Sequence, residues 1–340
     1  MRAIRIHEPS GVDGLALEEV PSLTPGPGEV RIEVHAAGCN FPDTLMLKGA
    51  YQDKPDWPFT PGKEVAGIIM DVGAGVPKGA DGFAPGDRVM ALVGHGGFAE
   101  EVTVIAEEVH KIPDTMDFMT AGGFALTYAT SYIALHHHQI HLTPGEVLLV
   151  LGAGGGVGLT AVEIGKILGA TVVAAAGSDE KLALAKQYGA DHTINYRTES
   201  IRDRVKALVG GADVVYDPVG GDAFAQSLRC VNTDGRVAIV GFASGDIPQI
   251  PASYLLVKNI SAVGIAMSGY RLRQTGPTRN MFPTLLDWCA TGRLKPHTSF
   301  QFPLEQTAEA LQTILDRRST GKVVIRVRDV DSGVTTPDLA

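Results

Sequence analysis

The segment from Val147 to Gly158 limits the possible folds of this chain more than any other segment does. The run VLLVL predicts a strand buried on both faces, and the glycine-rich turn GAGGGVG follows it at once. The next ten residues, LTAVEIGKIL, predict a helix. Strand, glycine turn and helix in this order are typical of a dinucleotide-binding site. Gly154, Gly156 or Gly158 lets the backbone approach a pyrophosphate, and the N–H groups that begin the helix point at the same anion. The alternative is a glycine turn that serves only packing.

The end of the next predicted strand, TVVAAA, decides which nucleotide we expect. Gly177 and Ser178 follow it, where an NAD site would carry an acidic residue for the ribose 2′-hydroxyl. These small residues leave room for a 2′-phosphate. Lys181 follows one helical turn later and is spaced to pair with that phosphate, while Tyr196 ends the following apolar stretch and can cover the adenosine. The sequence therefore favours NADPH.

Two alternatives stay open at this position. Asp179 is close enough in sequence to bind a ribose hydroxyl in a different loop conformation, which would favour NADH. Alternatively, Asp179 and Glu180 begin a helix and Lys181 is a solvated charge.

Composition sets limits on the class of protein. The chain has 340 residues, enough for two domains, and its 44% apolar and 20% charged residues are ordinary for a globular protein. A net charge of −9 disfavours a nucleic-acid partner, and no apolar run is long enough for a membrane span. The first residues, MRAIRI, predict a strand and not a signal peptide. Three widely spaced cysteines predict reduced thiols, so we expect a cytoplasmic protein.

Two different patterns predict two domains. From residue 147 to about 265, apolar strands alternate with helical segments, which predicts a parallel, doubly wound sheet of about six strands. Residues 1 to about 125 contain short strands separated by proline and glycine turns, which predicts a compact β-barrel. The C-terminal helices and the strand KVVIRV are expected to rejoin the N-terminal domain.

Several motifs occur in a fixed order along nearly the whole chain. They are AGCNFPD (37–43), PGKEVAG (61–67), GGFAE (96–100), LTYAT (126–130), the glycine turn, and DVVYDPVGG (213–221). In order and spacing they resemble the zinc-independent quinone oxidoreductase branch of the medium-chain dehydrogenase/reductase family. The resemblance implies an α/β protein with a GroES-like β-barrel catalytic domain (1–125 with 267–340). It also implies a Rossmann domain with a doubly wound parallel sheet (126–266), an active-site cleft between the two domains, and a homodimer or homotetramer.

The positions of the family's zinc ligands support the zinc-free branch. Where the zinc alcohol dehydrogenases carry a catalytic cysteine, this chain has Asn40, and Cys39 falls on a core-facing neighbour. Lys63 replaces the histidine of their Gly-His-Glu motif, beside Glu64. A zinc site needs three or four sulfur, imidazole or carboxylate ligands. We therefore expect no metal. The histidines at 136–138 and 141 are interpreted as a solvated surface.

Without a metal, the expected reaction is hydride transfer from the nicotinamide to a quinone or to the β-carbon of an enone. The oxyanion that develops on the acceptor needs a hydrogen-bond donor. The resemblance points to Asn40 and Tyr51 as the catalytic candidates. Alternatively, Asn40 is a turn residue whose side chain caps its own backbone. The alternative for Tyr51 is an aromatic residue that only packs on a loop. Lys63 is interpreted as part of a structural ion pair.

The residues expected to bind the coenzyme come from several segments. The nicotinamide end is assigned by resemblance to Thr127, Gly241 and Phe242, and Lys322 resembles another position near the cofactor. The alternative to coenzyme binding is that Phe242 packs within its loop. For Lys322, the alternative is an exposed charge at the edge of a strand. The full expected set is Thr127, Gly154, Gly155, Gly156, Val157, Gly177, Ser178, Lys181, Tyr196, Gly241, Phe242 and Lys322.

Three functional hypotheses follow. The first is an NADPH-dependent quinone or enone reductase acting on a small-molecule acceptor. The second is an enoyl-thioester reductase, for which Arg271, Arg273 and Arg279 would supply a basic patch for the carrier's nucleotide. The third is an NADPH-binding structural or regulatory protein that has lost catalysis.

Overall fold

The computed structural model describes residues 1–78, 82–270, 278 and 280–328. The chain divides into two compact units. Of the described residues, unit 1 contains Met1–Gly123, Gln301–Gln312 and 324–328, and unit 2 contains those within Phe124–Phe300 and Thr313–Val323. None of the helices in the described part of the chain is both long and apolar enough to span a bilayer.

Unit 1 is built mainly on antiparallel strands. Its strands are β1 (Arg2–Arg5), β2 (Ala16–Glu19), β3 (Glu29–Cys39), β4 (Glu64–Val72), β5 (Arg88–Leu92), β6 (Glu101–Ile105) and β7 (Val109–Lys111). Its N-terminal part also has two short helices, α1 (Phe41–Met46) and α2 (Phe118–Gly122). The long strand β3 pairs antiparallel with both β4 and β6, and β4 pairs with β5. Alternate residues of β3 are buried, as a sheet with one face on the core requires.

Unit 2 is a parallel six-stranded sheet with helices between its strands. The strands are β8 (Val147–Leu151), β9 (Thr171–Ala176), β10 (His192–Asn195), β11 (Ala212–Asp217), β12 (Val231–Ile239) and β13 (Ser261–Gly264). The helices are α3 (Ala125–His136), α4 (Gly156–Ile167), α5 (Asp179–Gln187), α6 (Ile201–Val209), α7 (Gly221–Leu228), α8 (Ala252–Lys258) and α9 (Met281–Ala290).

The strand order in unit 2 is β10-β9-β8-β11-β12-β13. Renumbered from β8, this is the order 3-2-1-4-5-6 of a dinucleotide-binding sheet, in which the strand order reverses between the first and fourth strands. Ligands bind such sheets beyond the carboxyl ends of the strands at this reversal. The glycine turn follows β8, and the Asp217 loop follows β11, so both lie at the reversal. The predicted α/β fold class is confirmed.

The C-terminal segment is shared by the two units. It contains β14 (Thr298–Pro303), α10 (Thr307–Leu315) and β15 (Lys322–Arg326), and the boundary between the units falls within each of these elements. The expected domain ranges assigned 267–340 as a whole to the catalytic domain. Among the described residues, the contacts group 280–300 and 313–323 with unit 2, since α9 packs on α3 through Trp288 and Tyr132, and Gly321 bonds to Gly154.

Candidate functional site

The glycine turn of unit 2 combines close packing with one less crowded position. A Cβ added at Gly154 would lie 2.5 Å from Lys181 Cβ, and one at Gly158 would lie 2.1 Å from the Gly152 carbonyl oxygen. At Gly155, by contrast, the nearest atom would be the Gly152 carbonyl oxygen at 3.5 Å. Gly155 has an extended backbone and immediately precedes α4. A Cβ at Gly155 would therefore make only an ordinary contact, so this position beside the helix N-terminus is less crowded than Gly154 or Gly158.

Predicted residues from distant segments meet at the start of α4. A Cβ at Gly156 would lie 3.2 Å from Thr127 Cγ2 and 3.6 Å from Lys322 Cδ. Both Thr127 and Lys322 are buried, so the interpretation of Lys322 as an exposed strand-edge charge is wrong. Gly321 fixes this arrangement, since its N–H donates to the Gly154 carbonyl at 2.9 Å. Val157 occupies the first turn of the same helix.

Basic residues from three segments lie near the end of β9. A Cβ at Gly177 would lie 3.1 Å from the Tyr196 ring and 3.3 Å from Arg197 Nε, so a side chain here would require both neighbours to shift slightly. Lys181 lies beside them, and its Nζ donates to the Arg317 carbonyl at 2.7 Å. Burial lowers the pKa of Lys181, and the positive charges of Arg197 and Arg317 lower it further. The site is therefore suited to an anion.

The neighbouring polar residues have local roles in this unit. Ser178 caps α5 by accepting a bond from the Lys181 backbone N–H. The carboxylate of Asp179 accepts a 2.7 Å bond from the Asn195 amide, which holds it at the surface. Burial raises the pKa of the Tyr196 phenol, and Arg317 and Arg197 counteract this rise.

Sequence reasoning missed two of the basic residues, Arg197 and Arg317. Arg197 directly follows Tyr196, so its position after β10 was a usable signal. Arg317 follows α10, and its backbone adopts a positive φ of 58°. No local pattern connects it with Lys181, which lies 136 residues earlier.

The loop after β11 contacts two residues that were predicted to bind the nicotinamide, Gly241 and Phe242. Asp217 Oδ1 accepts hydrogen bonds from the N–H groups of Val219 at 2.8 Å and Gly220 at 2.9 Å. Its backbone carbonyl accepts from the N–H groups of Val240 and Gly241. Phe242 packs against the same loop, because a Cβ at Gly220 would lie 3.3 Å from its ring. Asp217 thus ties the ends of β11 and β12 together, a role that its sequence motif did not reveal.

Unit 1 contains a second polar cluster, formed where β3 and β4 meet α1. Asn40 is buried between β3 and α1, and its side-chain amide donates to Glu64 Oε1 at 2.9 Å and to the Gly38 carbonyl at 3.1 Å. Its backbone N–H donates to Asp43 Oδ2 at 2.8 Å. Asn40 therefore organises the turn into α1 and holds the Glu64 carboxylate. Cys39 is buried, as expected.

Tyr51 and Lys63 belong to the same cluster. The Lys63 ammonium lies 5.0 Å from the centroid of the Tyr51 ring. It donates to the Gly94 carbonyl at 2.9 Å and lies 3.4 Å from the Asp53 carboxylate, so Asp53 is the partner in the expected ion pair. Burial raises the pKa of Tyr51, and the charges of Asp53 and Asp43 raise it further. The phenol therefore stays protonated through the neutral range and can donate a hydrogen bond.

The histidine-rich segment differs from its interpretation as a solvated surface. His138 and His141 are exposed, but His137 is buried and His136 stacks on Tyr132 with ring centroids 3.9 Å apart. The solvated interpretation is therefore wrong for His136 and His137, because the end of α3 packs on Trp288 of α9. Within the described ranges, no group of three or more histidine, cysteine, aspartate or glutamate side chains is arranged to hold a metal ion.

Comparisons with known proteins agree with this geometry. Residues 26–114 match the alcohol dehydrogenase GroES-like domain, and residues 156–291 match the zinc-binding dehydrogenase family. The chain is 42% identical to a quinone oxidoreductase-like protein 2 homolog of Nematostella vectensis over 89% of this chain and 83% of the relative. It is 33% identical to the human quinone oxidoreductase over 96% of this chain and 97% of the relative.

A solved structure extends the likeness to three dimensions. The Escherichia coli quinone oxidoreductase, crystallised as a complex with NADPH, superposes with a TM-score of 0.88 at 28% identity, covering 96% of this chain and 100% of that chain. The motifs, the order of the strands and these relatives agree, and the chain belongs to the quinone oxidoreductase branch of the medium-chain dehydrogenase/reductase family.

Proposed function

We propose that this protein is an NADPH-dependent reductase that transfers a hydride, without zinc, to a quinone or an α,β-unsaturated carbonyl compound. The observation that carries the proposal is the basic group of Lys181, Arg197 and Arg317 beside Gly177. The 2′-phosphate is the group that distinguishes NADPH from NADH. Basic side chains near the end of β9, where an NAD site would carry an acidic residue, favour binding of this phosphate. The relative from Escherichia coli, crystallised with NADPH, supports the same coenzyme.

The residues of unit 2 fit such a coenzyme. The uncrowded backbone at Gly155, with Gly154, Gly156 and Val157 around it, would receive the pyrophosphate at the N-terminus of α4. Tyr196 and the small residues Gly177 and Ser178 would border the adenosine ribose. When bound, NADPH supplies the hydride. The further residues proposed for the nicotinamide half are Thr127, Gly241, Phe242 and Lys322.

In unit 1, Tyr51 is the proposed hydrogen-bond donor to the acceptor oxygen. Its phenol is half-buried and its pKa is raised, so it keeps the proton that stabilises a developing oxyanion. Asn40 is proposed to contribute to catalysis indirectly, by holding the Glu64 carboxylate and organising the turn into α1. Direct donation by Asn40 would require it to exchange a bond to Glu64 or to Gly38, because each bond uses an amide hydrogen.

The zinc-free part of the proposal rests on Asn40 and Lys63. Zinc prefers sulfur, imidazole and carboxylate ligands, and neither side chain is one of these. The Lys63 ammonium is buried among Met46, Asp53 and Gly94, where its charge would oppose that of a metal dication. We therefore propose that a hydrogen bond from Tyr51, and not a Lewis acid, stabilises the oxyanion.

Oligomeric state and location are proposals as well. We propose a homodimer or homotetramer, as the resemblance implies, and a cytoplasmic location, which the three free cysteines support. The enoyl-thioester alternative rested on Arg271, Arg273 and Arg279, which lie outside the described residues. No described feature favours that alternative over the quinone reductase.

The zinc-free proposal is tested by chelation. The purified protein is dialysed against a strong chelator, its metal content is measured, and NADPH oxidation with a quinone is followed before and after. Unchanged turnover at trace metal content supports the proposal. Loss of turnover that added zinc restores contradicts it.

A further inference from the structure

The Lys63 side chain reaches several separate segments of unit 1 from the start of β4. The residue is 6% exposed, and its ammonium donates to the Gly94 carbonyl, just beyond β5, at 2.9 Å. It lies 3.6 Å from Met46 Sδ at the end of α1. The remaining contacts are with the segment after α1, at 3.4 Å to Asp53 Oδ2 and 5.0 Å to the Tyr51 ring centroid.

The segment that carries Tyr51 and Asp53 has no regular structure of its own. Residues 50–58 contain no helix or strand, and most of their side chains are exposed. One end is tied by the Ala50 N–H to the Leu45 carbonyl, and the other by the pairing of Phe59 with Ile6. Lys63 contacts the stretch between these ties. It therefore restrains the part of the loop from which Tyr51 would act.

We propose that Lys63 is the positioning residue for Tyr51: its ammonium holds the phenol ring against the polar cluster so that the hydroxyl meets the acceptor oxygen. This inference rests on the proposed function, in which Tyr51 is the donor. A cation over an aromatic face is attracted by the ring quadrupole, most strongly when both groups are shielded from water. The restraint requires the positive charge and not merely the length of the side chain.

The charges around the ammonium explain why it can remain buried. Asp53 neutralises part of its charge, and the Gly94 carbonyl accepts one of its three N–H donors. A buried ammonium without such partners would be costly. Because the ammonium lies over the ring, Lys63 orients the phenol and leaves its proton in place. If Lys63 only filled space, the effect of replacing it on kcat would not depend on the Tyr51 hydroxyl.

A double-mutant cycle tests this dependence. Lys63→Met keeps the side-chain length and removes the charge, and Tyr51→Phe keeps the ring and removes the donor. We expect K63M to lower kcat with a quinone by about tenfold, the scale of a shielded cation–π contact, with NADPH affinity unchanged. In the Y51F background, K63M should change kcat by less than about twofold. An equal loss in both backgrounds, or no loss in either, overturns the proposal.

A milder variant covers the case in which K63M folds poorly. Asp53 is about half-exposed, so Asp53→Asn removes one partner of the ammonium at little risk to the fold. We expect D53N to lower kcat by a few-fold with Tyr51 present and to have no effect in the Y51F background. Lys54→Met is the matched control, because Lys54 is exposed in the same loop and its loss should leave kcat unchanged.

Amide hydrogen exchange separates failure of this inference from failure of the proposed function. If none of the acceptors supports NADPH oxidation by the wild-type protein, the proposed function fails. The restraint of the loop by Lys63 can still be measured. Exchange across residues 49–58 should be at least about fivefold faster in K63M than in the wild type or K54M. Equal exchange in all three proteins would show that Lys63 does not hold the loop.

Discussion

The Tyr128 phenol donates a 2.6 Å hydrogen bond to Oε2 of Glu163, joining α3 to α4 in the interior of unit 2. The other carboxylate oxygen of Glu163 accepts a 2.7 Å bond from the Lys295 backbone N–H. Burial raises the pKa of Glu163 to about 7, although both hydrogen bonds counteract the rise. Glu163 is therefore a buried carboxyl that titrates near neutrality, and it makes the stability of unit 2 depend on pH.

The first prediction concerns Glu163→Gln. The folded pKa of about 7 lies above the ordinary value of 4.5, so the folded state binds more protons than the unfolded state between these values. Wild-type stability should therefore fall as the pH rises through this window and level off above it. A glutamine avoids this loss. The advantage of E163Q over the wild type should grow by up to about 3 kcal/mol between pH 5 and pH 8.

Chemical denaturation at both pH values measures this difference. Glu180→Gln, at an exposed position at the start of α5, is the control for the loss of a carboxylate elsewhere in unit 2. A constant difference between E163Q and the wild type from pH 5 to pH 8 would refute the titration of Glu163.

A second prediction concerns coenzyme choice. Lys181→Gln and Arg317→Gln each remove a cation near Gly177. Each should weaken NADPH binding by about 1.5–3 kcal/mol, the scale of charged hydrogen bonds, and leave NADH nearly unchanged. Titration calorimetry with both coenzymes measures the effect. If either variant weakened NADPH and NADH equally, that side chain would have no role in recognising the phosphate.

A third prediction separates binding from folding in the glycine turn. Gly155→Ala adds a Cβ at an extended backbone position, where its nearest neighbour would be the Gly152 carbonyl oxygen at an ordinary contact distance of 3.5 Å. Its stability cost should therefore stay below about 1 kcal/mol, the scale of an N-cap change. The same methyl group would obstruct the pyrophosphate, and NADPH affinity should fall at least about tenfold, which corresponds to 1.4 kcal/mol.

The matched variant at the turn is Gly154→Ala. Its Cβ would lie 2.5 Å from Lys181 Cβ, so this change should lower the melting temperature clearly. If G155A bound NADPH as well as the wild type does, the pyrophosphate would have to bind elsewhere.

A fourth prediction concerns Tyr51→Phe. Loss of one hydrogen-bond donor to an oxyanion should lower kcat by about a hundredfold, with NADPH affinity unchanged. Because burial and the nearby carboxylates raise the pKa of Tyr51, the wild-type rate should not fall between pH 6 and pH 9 through ionisation of this phenol. Stopped-flow measurement of the hydride-transfer step tests both points. A kcat within about threefold of the wild type would remove Tyr51 from the chemistry.

Regular periodicity explains why most of unit 2 was predictable. The apolar runs at β8 and β9 and the helical spacing of α4 and α5 matched the observed elements closely. In β12 the apolar run RVAIVG (236–241) indicates only the second half of the strand, and the preceding segment NTDG (232–235) has the composition of a turn. The strand instead begins at Val231 and carries an irregularity there, since Ala212 and Val214 pair with Val231 and Arg236. It ends at Ile239, where the next two N–H groups bond to Asp217.

The site was predictable only where its residues lie close to a motif. Lys181 and Tyr196 were expected because they follow strands at known spacings. Arg317 was not, since it reaches Lys181 through the return of the C-terminal segment. The contacts of Lys63 with Tyr51 and Asp53 likewise depend on the path of residues 50–58, and no periodicity encodes the path of such a loop.

The most direct test of the central claim is NADPH oxidation by the chelated protein with a panel of acceptors. The panel contains 1,4-benzoquinone, 9,10-phenanthrenequinone, a simple enone and a crotonyl thioester, each repeated with NADH. We predict turnover with a quinone or the enone that is faster with NADPH than with NADH. Activity on the thioester alone would identify an enoyl-thioester reductase, and no turnover with any acceptor would contradict an enzymatic role.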